Sequence, residues 1–180
     1  MTFNSQYDPA HLYFVTATIC GWKHLFIQTF YADIVLGSLN WLRQQGRMNL
    51  FAFVLMPSHL HILIKPIGRA IGNLIQDFGS FTAHEVLRQL KVDRQIALLQ
   101  FFHEQRRDKR HQHSIWQDIQ AKNIYSVDFL REKLEYIHNN PLNKEWRLAL
   151  TRADYKYSSA CFYDRSEIPI IPVDDVREWT

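Results

Sequence analysis

The sequence predicts an α+β fold: a ferredoxin-like antiparallel sheet packed with helices, with a tyrosine-bearing helix toward the C-terminus. Three observations lead there. Residues 12–19 and 59–65 alternate with the period of two expected of strands, whereas 30–45 and 71–90 carry apolar residues at helical spacing. The resulting order, β-α-β-β-α-(β)-α, is that of a sheet with helices on one or both faces. The chain has 180 residues, 47% of them hydrophobic, and no Pro/Gly linker or repeat, so residues 1–180 are read as a single domain.

Each element has its own signal. In Leu12–Ile19, Tyr13, Val15, Ala17 and Ile19 face one way and Leu12, Phe14, Thr16 and Thr18 the other. The first helix runs from Phe30 to Gln45 on Ile34, Val35, Leu39 and Leu42 and stops at Gly46. Met48–Met56 is continuously apolar, as in a buried strand, and Pro57-Ser58 breaks it before a strand from His59 to Lys65. Ile71, Leu74, Ile75, Phe78 and Phe81 start a second helix that continues through Leu90. Val92–Phe102 fits either an extension or a separate helix, 103–113 reads as a loop, and Ser114–Gln117 as a short strand. Ser126 is an N-cap with Asp128 in the positive first turn and Tyr125 placed to staple against Leu130. That helix ends near Asn139, because Pro141 disfavours the α conformation at Asn140.

Composition excludes several classes of function. A charged fraction of 22% and an ordinary Gly and Pro content argue against disorder or fibrous repeats. No apolar run reaches the ~20 residues of a membrane-spanning helix, and Met1–Ala10 lacks the basic and apolar regions of a secretory signal. Cys20 and Cys161 stand far apart in no CxxC spacing, so a reducing, cytoplasmic setting with no membrane association is expected. The net charge of +3 permits nucleic-acid binding without requiring it.

The chemistry concentrates in His59-Leu60-His61. On a strand both imidazoles project from one face while Leu60, Ile62 and Ile64 fill the other, making a natural pair of metal ligands. In the last predicted helix, Leu130, Leu134 and Ile137 form the apolar stripe. Tyr136 and Asn140 lie one turn apart on its flank, about 40° from each other, with His138 on the opposite side. A helix presenting a phenol and an amide to a histidine pair would set a nucleophile beside a divalent-cation site, with the Asn140 amide oxygen as third ligand. An ordinary phenol is ionised in roughly one molecule per thousand at neutral pH. A dication held by neutral ligands would therefore assist by polarising a phosphate and offsetting the charge that develops on it.

Val54-Leu55-Met56-Pro57-Ser58-His59-Leu60-His61-Ile62-Leu63 resembles the HUH motif of the single-tyrosine transposases. Trp116-Gln117 and the run from Leu130 to Pro141, with Tyr136-Ile137-His138-Asn139-Asn140-Pro141 at its end, resemble the tyrosine helix of the REP-associated tyrosine transposases. Tyr155–Ala160 is similar to the closing aromatic-Ser-Ser segment of that family, so the resemblance spans residues 10 to 163. It implies a metal-dependent strand transferase acting on single-stranded hairpin DNA through a 5′-phosphotyrosine intermediate, as monomer or homodimer. Tyr136 would be the nucleophile, and His59, His61 and Asn140 the ligands of Mg²⁺ or Mn²⁺. No GxxxxGK[ST] run is present, and none is needed if the bond energy is kept in the phosphotyrosine. The chain departs from the pattern at Ser58, where relatives often carry Asn and little consequence is expected. It departs again at Leu142-Asn143-Lys144-Glu145-Trp146, which replaces a Val and Arg-Gly.

Residues 106–113, Lys144 and Arg147 are the expected phosphate contacts, and Trp116 the expected stacking platform for an unpaired base. Two alternatives stand beside the transferase: a non-catalytic ferredoxin-like module that binds nucleic-acid hairpins, and a His-ligand metalloenzyme of cupin or hydrolase type. The latter would need a carboxylate or third histidine on the pair, and no HxxE or ExxxH run nearby supplies it.

Overall fold

A computed structural model describes residues 11–106 and 114–179. Strands β1 (Leu12–Ile19), β2 (Met48–Met56), β3 (His59–Pro66) and β4 (Trp116–Ile124) form one sheet in the order β2-β3-β1-β4, with every neighbouring pair antiparallel. Helices α1 (Thr29–Gln44) and α2 (Ile71–Val92) complete the predicted ferredoxin-like pattern. A short helix α3 (Ile96–Glu104) precedes β4, α4 (Val127–Asn139) follows it, and α5 (Ala160–Arg165) comes later.

The sheet is covered on both sides. Tyr13, Val15, Ala17 and Ile19 of β1 and Leu60, Ile62 and Ile64 of β3 pack with α1 and α2 in one core. Phe14, Val54, Met56 and Leu63 pack with Leu130, Leu134 and Ile137 of α4 in the other. This explains why Met48–Met56 has no alternation: a strand covered on both faces is apolar throughout. A register shift between Leu50 and Ala52 adds to it, switching the parity so that Leu50 and then Phe53 face the α1/α2 core, with Phe51 and Ala52 opposite.

Three expectations need correction. The loop expected from residue 103 starts later: of the two readings open for Val92–Phe102 the separate helix α3 holds, and it takes in His103 and Glu104. The fourth strand runs to Ile124, well beyond Gln117; as an edge strand its polar residues face outward and dilute the apolar signal. The Ser126 hydroxyl accepts from Phe129 N (3.1 Å) as a cap should, but Tyr125 stacks on Phe129 (4.8 Å between ring centroids) rather than on Leu130. Of the basic segment, residues 107–113 lie outside the described residues. No helix among the described residues is long and apolar enough to cross a membrane.

The Tyr155–Ala160 segment closes the β2 edge. Leu55 N donates to Tyr157 O (2.8 Å) and Ser159 N to Phe53 O (3.0 Å), extending the sheet by an isolated bridge between Val54 and Ser158. Phe53 N also donates to Ser159 Oγ (3.0 Å), which lies 3.0 Å from His138 Nε2. Ser159→Ala leaves both partners short of an acceptor or donor in a fully buried setting, so unfolding free energy should fall by about 1–3 kcal/mol. Urea denaturation checks this; a change below about 0.5 kcal/mol would mean that the hydroxyl is dispensable.

Candidate active site

The sheet face under α4 carries both histidines. His59 and His61 alternate with Leu60 along β3, so their rings stand on the α4 side, 4.8 Å apart between centroids. Cross-strand pairing places Thr18 opposite His59 and Thr16 opposite His61, and Thr16 Oγ1 lies 2.9 Å from His61 Nδ1. Ser58 Oγ lies 3.2 Å from His59 Nδ1. Ser58 is fully buried, and its carbonyl accepts from Ile19 N (2.9 Å).

Tyr136 comes from α4, its hydroxyl 3.5 Å from His61 Nε2 and its ring 5.1 Å from that imidazole. The separation is at the outer limit of a hydrogen bond, and the residue is 45% exposed. The phenol therefore rests against the ring without being locked to it. Asn140, buried at the end of α4, lies beside His59, where its side-chain amide opposes the effect of burial on that imidazole. All four residues expected from sequence are thus brought together within one chain. His138 points the other way, against Ser159 and Tyr163, as its position on the helix predicted.

Both imidazoles are neutral at physiological pH. Burial pushes His59 down to about 4, against the Asn140 hydrogen bond. Burial, then the charges of His59 and Lys133, push His61 down to about 3. Burial and then the Arg152 charge lower His138 to about 4, against Asp164 and Glu135. In the unfolded chain these groups titrate near 6.5, so between that pH and about 4 the unfolded state binds more protons. Stability of the metal-free protein is accordingly complete above about pH 6.5 and falls on acidification, by about 1.4 kcal/mol per pH unit for each histidine. Urea midpoints in chelator that stay constant between about pH 7 and pH 5 would contradict the burial of these rings.

Neutral imidazoles whose Nδ1 atoms meet hydroxyls, with a side-chain amide alongside, form a donor set suited to a divalent ion. Among the described residues there is no group of three His, Cys, Asp or Glu side chains able to hold a metal, and none of their carboxylates joins the pair as a cupin-type or hydrolase-type site requires.

Several residues of the site escaped the sequence reading. Phe14 stacks on His61 (5.4 Å, 19°) and meets Tyr136 edge-on (5.9 Å). Lys133 Nζ lies 5.7 Å from the centre of the Tyr136 ring, and its spacing of three residues from Tyr136 on one helix was a readable signal. Trp22 and Trp146 both reach His59, at 5.5 and 5.8 Å between ring centroids, and nothing local in the sequence places either there. Trp116, by contrast, is half-buried and packs against the α1/α2 core, its Nε1 donating to Thr82 Oγ1 (2.9 Å), rather than standing fully exposed as a stacking platform would. Lys144 and Arg147 are exposed, as phosphate contacts would have to be.

In class, then, the protein is a ferredoxin-like α+β domain whose sheet presents a histidine pair to a helix-borne tyrosine. The same fold occurs in a solved REP-associated tyrosine transposase bound to a REP hairpin, with a TM-score of 0.66, 18% identity, and coverage of 98% of this chain and 93% of that one. A Deinococcus radiodurans R1 protein provisionally described as a transposase superposes more loosely, with a TM-score of 0.45 and 16% identity over 77% of this chain and 97% of that one. No family model and no curated protein matches the sequence.

Proposed function

We propose that this protein is a metal-dependent transferase of single-stranded DNA that cleaves and rejoins strands beside hairpins. The observation carrying the proposal is the placement of the Tyr136 hydroxyl 3.5 Å from Nε2 of one of two neutral, adjacent imidazoles. The shared fold supports it. His59, His61 and Asn140 would hold Mg²⁺ or Mn²⁺. Bound there, the ion supplies Lewis-acid polarisation of the scissile phosphate and neutralises charge in the transition state.

The chain's own residues account for the remaining steps. Tyr136 Oη attacks phosphorus as the P–O3′ bond breaks, the phenolic proton leaves to solvent, and the departing 3′ oxygen takes up a proton. The 3′ segment of the strand stays on Tyr136 as a 5′-phosphotyrosine, and attack by another 3′-hydroxyl reverses the linkage with no external energy source. Thr16 and Ser58 orient the two imidazoles, and Lys133 places positive charge near the phenol and the substrate phosphate.

The test is incubation with 3′-labelled stem-loop oligonucleotides bearing single-stranded flanks, in Mn²⁺ or in excess chelator, followed by a denaturing gel. A labelled protein band in Mn²⁺ that chelator abolishes is expected. Hairpin binding with no covalent band under any condition would instead establish the non-catalytic binding module.

A further inference from the structure

We propose that Trp22 and Trp146 form a stacking site for the nucleobase on the 5′ side of the scissile phosphate, the nucleotide that departs with the free 3′-hydroxyl. This rests on the strand-transfer reading above and assigns a substrate subsite to it.

The two sides of the histidine pair differ. Tyr136 and Phe14 pack on His61, whereas Trp22 and Trp146 pack on His59. In-line displacement at phosphorus sets the entering and leaving oxygens on opposite sides. With Tyr136 entering from the His61 side, the leaving 3′ oxygen and its nucleoside lie toward His59, where the two indoles stand. His24, 5.3 Å from Trp146, completes the aromatic group, and an indole ring is a surface on which any base can stack.

The backbone at both indoles is strained, Trp22 standing exposed and Trp146 half-buried against the α4-side core. Trp22 is 54% exposed and has φ +54°, a left-handed conformation that is costly for a bulky side chain. The preceding Gly21, at φ +60°, is approached so closely by the Phe101 ring that an added Cβ would lie 2.6 Å from Cζ. Trp146 is followed by Arg147 at φ +45°. Strain of this kind persists only where the surroundings impose it, and here both turns are pinned. Cys20 N donates to Ile115 O (2.8 Å) and Phe26 N to Pro57 O (3.0 Å) around the first; Trp146 N donates to Asn143 O (2.9 Å) and Leu148 N to Pro141 O (2.9 Å) around the second. Trp22, exposed and held in strained backbone over a buried histidine, contributes little to the core, and Trp146, though it packs against the core, is only half-buried. Fixed aromatic faces beside a reacting phosphate do what base stacking requires.

Two measurements test this. In the first, a cleaved hairpin substrate is compared with the same oligonucleotide made abasic immediately 5′ of the scissile phosphate. Wild type should lose roughly ten- to a hundredfold in kcat/KM on the abasic strand. Trp22→Ala and Trp146→Ala should lose a comparable factor on the intact strand and little more on the abasic one, while Trp22→Phe and Trp146→Phe recover most of it. Equal abasic penalties in wild type and alanine variants would overturn the subsite and leave the transferase standing. The second uses the Tyr136→Phe variant, so that binding is read without cleavage, with 2-aminopurine walked through the single-stranded flank of a stem-loop. Fluorescence should be quenched at one position, and the quench lost on adding Trp22→Ala or Trp146→Ala. A quench that survives both substitutions, or none at any position, refutes the stacking site whether or not a covalent adduct forms.

Discussion

Tyr136→Phe should leave a protein that binds hairpin DNA within about twofold of wild type yet forms covalent adduct at less than about a thousandth of its rate. Phenylalanine keeps the ring, its contacts with His61 and Phe14, and the position on α4, and removes only the oxygen that would attack phosphorus. Because the residue is 45% exposed and, among the described residues, its hydroxyl makes only the long contact to His61, folding should change by no more than about 0.5 kcal/mol. The substitution therefore separates chemistry from binding. Wild-type adduct levels in the Tyr136→Phe protein, on the same labelled hairpin and gel, would remove Tyr136 from the mechanism.

His61→Ala should act on metal binding and chemistry together. Loss of one imidazole from a site of two imidazoles and one amide should weaken Mn²⁺ binding, measured calorimetrically, by at least about a hundredfold. Adduct formation should fall about a thousandfold, the equivalent of several kcal/mol of transition-state stabilisation. A readout independent of activity comes from stability. His61 is lowered to about 3 by burial and by the charges of His59 and Lys133, so its removal takes away one group that favours unfolding on acidification. The variant, measured in chelator, should show a shallower loss of stability between about pH 6.5 and pH 4 than wild type. Unchanged Mn²⁺ affinity would show that the ion, if bound, is held elsewhere.

The fold was largely legible in the sequence because its strands and helices follow their own periods. Alternation in Leu12–Ile19 and His59–Lys65 assigned each residue to the face it occupies, and Ser126 marked the start of α4. The gaps have physical causes. An edge strand with a polar outer row gives a weak apolar period, which is why most of β4 was missed. A register shift at Leu50/Ala52 in a strand buried on both sides leaves no local mark. The short helix α3, ending where the basic segment begins, could not be told from an extension of α2 by spacing alone.

Local sequence determined the histidine pair on one face of β3, the leucine and isoleucines on the other, and the placement of Tyr136 and Asn140 one turn apart, because pleat and helix geometry are fixed by backbone sterics. What only the tertiary structure decided is which side chains from distant parts of the chain meet that pair. Thr16 reaches His61 through antiparallel register, Trp22 reaches His59 through a pinned turn after β1, and Trp146 through the segment that follows Pro141. Periodicity reports which way a side chain points within its own element. Contacts across the sheet and from the turns depend on register and on loop hydrogen bonds, and those are settled only when the whole chain packs.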